Sequence, residues 1–154
     1  MQERAPLELV NELELLFSLL ARTGTGGDGP ALTSTQRVVL IELVSAGPLR
    51  LGALAARIGA SDPTVSRAVD GMVAGGIVER RPDPDDRRAV LLVATAGGRA
   101  WVERRRKEAA AALAAALEGM PADERAEIVR LVAALNDRLR DSGAERSAAL
   151  LAAW

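Results

Sequence analysis

Apolar residues recur at helical spacing near both ends of the chain. In the stretch 7–21 the apolar side is formed by Leu9, Val10, Leu13, Leu16, Phe17 and Leu20. In the stretch 122–142 it is formed by Ile128, Leu131, Val132, Leu135 and Leu139. A stripe that repeats every three to four residues predicts an amphipathic helix at each end.

These two stripes lack polar positions and are too long for a core this small to cover. Helices of this kind can bury one another across a twofold axis, and we therefore expect a homodimer. A monomer would have to cover the stripes at residues 7–20 and 125–139 by packing within the chain, and the sequence alone leaves that alternative open.

Three further helices are predicted between residues 31 and 75. Thr33 and Gln36 form a capping-box pattern ahead of an apolar run. Residues 49–59 predict a short helix closed by Gly59, because glycine readily takes the left-handed conformation. Ser61 is expected to cap the next helix, which carries an apolar face and, opposite it, a face of Thr64, Ser66, Arg67 and Asp70.

A hairpin is predicted next, because residues 77–81 and 89–95 are β-prone and flank a polar turn. We expect its loop to be longer than a two-residue turn. The turn is unusually rich in charge, since it holds Asp83, Asp85, Asp86, Arg87 and Arg88. Thr95 is then expected to cap an alanine-rich helix that runs from about Gly98 to Leu117. A glycine-rich loop is predicted at residues 22–30, and a further turn or two of helix at 144–154.

The composition limits the kinds of catalytic and metal-binding site that the chain can form. The 154 residues suit one domain or two small lobes, and 49% are hydrophobic. The chain has no cysteine and no histidine, which excludes disulfides and thiolate metal sites and removes the commonest general base. We find no constellation of catalytic or metal-ligating residues, and expect neither an enzyme nor a cofactor. No signal sequence or membrane span is evident, and a cytoplasmic location is expected.

Charge is distributed unevenly although the net charge is only −1. Residues 1–49 carry −3, residues 50–107 carry +5 and residues 108–154 carry −3. A basic middle between acidic ends is typical of a surface that meets nucleic acid, because phosphate binding is a local electrostatic matter. Random fluctuation along a chain of this size is the competing explanation.

Residues 49–74 combine a short helix, a glycine turn and a second helix with small polar residues on one face. This pattern is typical of a helix-turn-helix, whose second helix enters the major groove of DNA. It is equally typical of an αα corner in a globular core. A charged hairpin tip likewise has a simpler reading, as a solvated turn that discourages pairing of sheet edges.

The motifs taken together resemble the winged helix-turn-helix core of the MarR family of bacterial transcriptional regulators, over residues 32–100. The matching segments are Thr64–Arg67, Gly76–Arg80, Asp83–Arg88 and Thr95–Gly98, in the family's order and spacing. The sequence departs from the family at Ala94, where leucine is usual, and at Arg50, where a serine or threonine commonly caps the first helix of the motif.

This resemblance implies a mainly α fold with a small β-hairpin wing, in which a winged helix-turn-helix core carries N- and C-terminal dimerisation helices. The implied division is a dimerisation helix and loop at 1–31, a DNA-binding lobe at 32–97 and dimerisation helices at 98–154. The implied function is that of a homodimeric transcriptional regulator, most often a repressor, that binds a pseudo-palindromic double-stranded DNA operator. Release by a small-molecule effector belongs to the same expectation.

The resemblance also assigns DNA-contacting residues. On the recognition helix they are Pro63, Thr64, Ser66 and Arg67, and on the wing they are Asp86, Arg87 and Arg88. Arg88 is expected to enter the minor groove with its guanidinium held by Asp86, because that groove concentrates negative potential. Asp70 would be repelled by phosphate and is expected to hold an arginine instead. The competing function is a winged-helix module that binds proteins and has lost DNA binding.

Overall fold

Helices dominate this computed structural model, which describes residues 4–22 and 30–141. The elements are α1 (Arg4–Arg22), α2 (Ser34–Ala46), β1 (Leu49–Arg50), α3 (Leu51–Ile58), α4 (Asp62–Ala74), β2 (Val78–Asp83), β3 (Asp86–Ala94), α5 (Ala96–Ala116) and α6 (Ala122–Asp141). The predicted fold class, mainly α with a small β-hairpin, is confirmed. Most of the loop predicted at 22–30, and the helical turns predicted at 144–154, lie outside the described residues.

Local signals in the sequence account for the ends of the first two helices of the central lobe. At the start of α2 the Gln36 main-chain N–H donates to Thr33 Oγ1 at 3.2 Å, and the Gln36 side chain accepts from the Thr33 N–H at 2.9 Å. This is the predicted capping box. Helix α3 ends at Gly59, whose φ of 65° is left-handed as predicted.

Helix α4 begins where the sequence indicates, but its cap differs from the prediction. Ser61 occupies the N-cap position, and its carbonyl oxygen accepts from the N–H groups of Thr64 and Val65. Its hydroxyl makes no capping bond and lies instead 2.9 Å from Thr64 Oγ1. The predicted position is therefore right and the predicted capping atom is wrong, because a neighbouring hydroxyl takes up the serine side chain.

The sheet holds a strand that the sequence pattern did not reveal. Strand order is β1-β3-β2 with antiparallel pairing throughout, and β1 contributes only Leu49 and Arg50, opposite Leu92 and Leu91. Two residues are too few to show an alternating pattern, and their pairing with β3 depends on contacts about forty positions away along the chain.

The hairpin loop is a two-residue turn, Pro84–Asp85, so the prediction of a longer loop is wrong. Pairing moves from Pro82–Val90 directly to Asp83–Asp86, and residues 87–89 form an irregular bulge on β3. The three extra residues of the hairpin therefore lie in β3 and not in the turn. The Asp83 carboxylate closes the turn by accepting the Asp85 main-chain N–H at 3.0 Å.

The core lies between α2, α3 and α4, with the sheet and the start of α5 covering it. Its largest fully buried side chains are Leu40, Leu54, Met72, Val39, Val65, Val69 and Val78. Helix α5 adds Trp101 and Val102 and approaches the sheet closely at Gly98. A Cβ at Gly98 would stand 2.3 Å from the Ile77 carbonyl oxygen, and only glycine therefore permits this approach.

None of the side chains described on the two outer helices α1 and α6 belongs to that buried core. Their exposed large apolar residues are Leu7, Leu9, Val10, Leu15, Leu16, Phe17 and Leu19 on α1, and Ile128, Val129, Leu131, Val132 and Leu139 on α6. Within the described part of the chain, no helix combines the length and apolar character that crossing a bilayer requires.

Candidate nucleic-acid interface

Helix α4 is held by one apolar face and presents the other face to solvent. Val65, Ala68, Val69 and Met72 are buried against the core. Pro63, Arg67, Asp70, Gly71 and Ala74 are exposed, and Ser66 is half-buried. Because most of these exposed side chains are short, a flat surface could approach the helix closely along this face.

The four DNA-contacting residues predicted on this helix, Pro63, Thr64, Ser66 and Arg67, differ in exposure and in the hydrogen bonds that they already make. Pro63 and Arg67 are exposed, and Arg67 Nε donates to the Pro63 carbonyl at 3.3 Å. Thr64 is half-buried, and its hydroxyl lies within hydrogen-bonding distance of Ser61. Arg67 is therefore the strongest donor on the face, with Ser66 beside it.

Asp70 holds an arginine, as predicted. Its Oδ1 accepts from Arg80 Nη2 at 2.7 Å, and both side chains are exposed. The pair neutralises the one acidic side chain in the middle of the exposed face of α4. It also joins this helix to β2, which leads into the hairpin. We call the hairpin Val78–Ala94 the wing from here on.

Asp86 occupies the base of the wing bulge, and its contacts differ from the expected ones. Its Oδ1 accepts the Arg88 main-chain N–H at 3.0 Å, and its Oδ2 lies 3.6 Å from Arg50 Nη1. The carboxylate therefore fixes the main chain of Arg88 and not the guanidinium, which corrects the expectation. A carboxylate two residues before an N–H commonly forms such a local turn bond.

Arg87 and Arg88 stand exposed in the bulge of the wing. Within the described residues, neither guanidinium has a carboxylate partner at ion-pair distance. Two positive charges are thus placed side by side at the end of a hairpin. An exposed guanidinium without a carboxylate partner keeps its donors available for phosphate or for groove edges.

Arg50 and Asp83 form a contact that the sequence did not predict. Arg50 Nε donates to Asp83 Oδ2 at 2.7 Å, and Arg50 Nη2 lies 2.6 Å from the same oxygen in an ion pair. Asp83 is 6% exposed and is the only buried charged residue in the described part of the chain. The Asp85 N–H and then the Arg50 guanidinium stabilise its charged form and lower the pKa of the Asp83 carboxyl. The only sequence signal was the departure from the usual capping residue at Arg50.

The described arrangement defines a class of protein. Helices α3 and α4 joined by a short turn, followed by an antiparallel hairpin, make a winged helix-turn-helix. Residues 32–90 match the sequence model described as the MarR family. The match and the fold together show that this winged-helix lobe is similar to the MarR family, as the sequence motifs predicted.

Solved structures support the same assignment. A MarR family protein from Bacillus stearothermophilus is similar with a TM-score of 0.75 at 24% identity, covering 91% of this chain and 99% of that one, which shows the shared fold. A mutant of E. coli MarR is similar with a TM-score of 0.67 at 26% identity, covering 85% and 93%. No curated protein matches the chain in sequence.

A third similar structure is that of Bordetella bronchiseptica BpsR, described with the mechanism by which 6-hydroxynicotinic acid regulates its DNA binding. Its TM-score is 0.62 at 26% identity, and the match covers 86% of this chain and 92% of BpsR. These likenesses support a transcriptional-regulator fold.

Proposed function

We propose that this chain is a sequence-specific transcriptional regulator, acting as a repressor, that binds double-stranded DNA as a homodimer on a pseudo-palindromic operator. Helix α4 would lie in the major groove, and the wing would reach the adjacent minor groove. The protein would act in the cytoplasm, where chromosomal DNA is its partner.

One observation carries this proposal, namely the way in which arginines are paired. Of the seven arginines at positions 50–88, Arg50, Arg57, Arg80 and Arg81 have carboxylate partners within the described chain. The three without such a partner are Arg67, Arg87 and Arg88, which lie on the exposed face of α4 and in the wing bulge. Within this segment, positive charge is therefore left uncompensated on the exposed face of α4 and in the wing, which favours a polyanionic partner.

The two elements suit different grooves of DNA. Short side chains around Arg67 allow α4 to enter the major groove, where arginine and hydroxyl donors can read base edges. The wing is a narrow hairpin with arginines near its tip. The minor groove beside a major-groove site attracts arginine through its negative potential. Arg88 is proposed to enter that groove, with Arg87 beside it near phosphate.

The dimer is supported by the apolar surface of the outer helices. Leu16 and Phe17 on α1, and Leu131 and Val132 on α6, are 40–53% exposed in the single chain. A second copy could bury these faces around a twofold axis. Two recognition helices would then be able to meet half-sites about 34 Å apart, one turn of the double helix.

Release of the operator by a small molecule is part of the proposal. Its support is the structural similarity to BpsR, whose DNA binding is regulated by 6-hydroxynicotinic acid.

The proposal is tested by selecting bound sequences from a pool of random duplexes at low salt. We expect a sequence with twofold symmetry and half-sites about one helical turn apart, bound with submicromolar affinity that falls steeply as salt is raised. Recovery of no preferred sequence would contradict the proposal and favour a protein-binding winged helix.

Two arginine variants test whether DNA binding depends on the arginine of the α4 face or only on the overall positive charge. Arg67→Ala should weaken binding to the selected duplex by about tenfold or more, because it removes a donor from the recognition face. The matched control is Arg57→Ala, which removes the same charge from α3, where the guanidinium is paired with Glu42 on α2. Equal losses for the two variants would contradict the assignment.

A further inference from the structure

Arg50 lies directly before α3, at the position where a capping side chain is usual. It makes no capping hydrogen bond to α3. Its guanidinium turns instead toward the wing, where Nε and Nη2 meet Asp83 Oδ2 at 2.7 and 2.6 Å and Nη1 lies 3.6 Å from Asp86 Oδ2. One side chain thus contacts both carboxylates that frame the two-residue turn.

Each of those carboxylates also fixes the main chain of the wing. Asp83 Oδ1 accepts the Asp85 N–H at 3.0 Å, and Asp86 Oδ1 accepts the Arg88 N–H at 3.0 Å. Arg50 therefore holds, through two acids, the backbone on either side of the turn. Asp83 is 6% exposed, and its removal from water makes the presence of a cationic partner important for its charged state.

The other end of the contact is anchored in the buried core. Strand β1, which contains Arg50, runs directly into α3, and α3 buries Leu54 and Ile58 in the same core in which α4 buries Val65. Because α3 and α4 share this core, the contact between the wing turn and Arg50 also connects the wing to α4.

We infer that Arg50 is a positioning residue for the wing, which it fastens to the helix-turn-helix so that Arg87 and Arg88 stand at a set place relative to α4. The effect on DNA rests on the proposed function, whereas the effect on the wing does not. The planar fork of arginine presents its donors in a fixed geometry toward both carboxylates, whereas the ammonium of lysine is a compact charge without that geometry.

The first test follows the free protein by hydrogen–deuterium exchange, resolved residue by residue with NMR. In Arg50→Gln we expect the Asp85 and Arg88 amides to exchange about tenfold faster than in the unchanged protein, because the acids that accept from them lose their anchor. Arg57→Gln is the control, since it removes an arginine paired to α2. Arg50→Lys should restore part of the protection.

Unchanged exchange at Asp85 and Arg88 in Arg50→Gln would overturn the inference. Amides of the buried core, such as that of Leu54, report whether the variant is folded. If Arg50→Gln does not fold, Arg50→Met replaces it, because it also removes the guanidinium that contacts Asp83 and Asp86 while keeping an unbranched stem. Exchange of the Asp85 and Arg88 amides in Arg50→Met that equals the unchanged protein's would equally overturn the inference.

The second test measures coupling between Arg50 and Arg88 on a pool of random-sequence duplexes about three helical turns long, at low salt. Arg88→Ala should weaken binding about tenfold in the otherwise unchanged protein, and less than about threefold when Arg50→Gln is also present. Additive losses would overturn the role of Arg50 in DNA binding. If the unchanged protein binds no duplex, the proposed function fails, and the exchange experiment still decides whether Arg50 positions the wing.

Discussion

The winged lobe (α2, α3, α4 and the sheet) buries many of its apolar residues, whereas the outer helices α1 and α6 expose many of theirs. In the lobe, Leu40, Leu54 and Met72 are fully buried among α2, α3, α4 and their neighbours. On α1 and α6, residues of the same kind, such as Leu16 and Leu131, are 40% and 53% exposed. Similar amphipathic patterns thus lead to an inward core in one region and to an uncovered surface in the other.

This difference separates the apolar surface that the single chain buries from the apolar surface that the proposed homodimer would cover. Full burial of a leucine side chain is worth about 1.5–3 kcal/mol, and the lobe gains this from its own residues. The outer helices gain little until something covers them. We therefore expect the lobe to respond to mutation independently of protein concentration, and the outer helices to respond through assembly.

The largest effect is expected from Leu131→Glu on α6. If this face is buried in a homodimer, a carboxylate there would be desolvated in both copies at a cost of about 3–5 kcal/mol each. The molar mass measured by sedimentation equilibrium should fall from that of two chains to that of one. The control is Val129→Glu, which lies 69% exposed and outside the predicted stripe. Equal molar masses for the unchanged protein and Leu131→Glu would break the comparison.

The next effect is expected from Leu54→Ala in the lobe. Removing this fully buried side chain from α3 should lower the free energy of unfolding by about 2–5 kcal/mol, since the cavity is only partly refilled. Denaturant titration at two protein concentrations measures it, and the loss should be the same at both. The matched change Val129→Ala on α6 should cost within about 0.5 kcal/mol. A loss for Leu54→Ala as small as that would show that the lobe core is not packed as described.

The smallest effect concerns the buried charge within the lobe. The pKa of Asp83 is lowered by the Asp85 N–H and by Arg50, and the carboxylates of Asp86 and Asp85 also act on that guanidinium. A lowered pKa means that the carboxylate stabilises the fold fully above the usual value of 3.8 and loses this contribution as pH falls through the lower folded value.

The melting temperatures of the unchanged protein and of Asp83→Asn measure this contribution. Their difference should be constant near neutral pH and shrink below pH 3.8, where Asp83 takes up a proton. A difference that grows as the solution becomes more acidic would have the wrong sign and would contradict the Asp83–Arg50 contact.

The features that sequence reasoning predicted well depend on residues close together in the chain. The capping box of Thr33 and Gln36, the left-handed Gly59 and the apolar face of α4 all follow from spacings of one turn or less. The Asp70–Arg80 pair is ten residues apart, but the expectation followed from the repulsion between Asp70 and phosphate.

The features that were missed depend on tertiary pairing. Strand β1 exists because Leu49 and Arg50 meet β3 across the sheet, and no local pattern shows this. Arg50 and Asp83 are 33 residues apart in the sequence, and the Arg50 guanidinium contacts the carboxylates of both Asp83 and Asp86. The resemblance implied that the Asp86 carboxylate pairs with the Arg88 guanidinium, whereas this carboxylate accepts the Arg88 main-chain N–H and lies 3.6 Å from Arg50.

The most direct test of the central claim is chemical footprinting of the selected duplex with the unchanged protein and with Arg88→Ala. Hydroxyl radicals report the minor groove, and methylation of guanine N7 reports the major groove. We predict that Arg88→Ala loses protection in the minor grooves flanking the site and keeps it in the major groove, where α4 and Arg67 are proposed to lie. Identical footprints for the two proteins would contradict the claim that the wing reads the minor groove through Arg88.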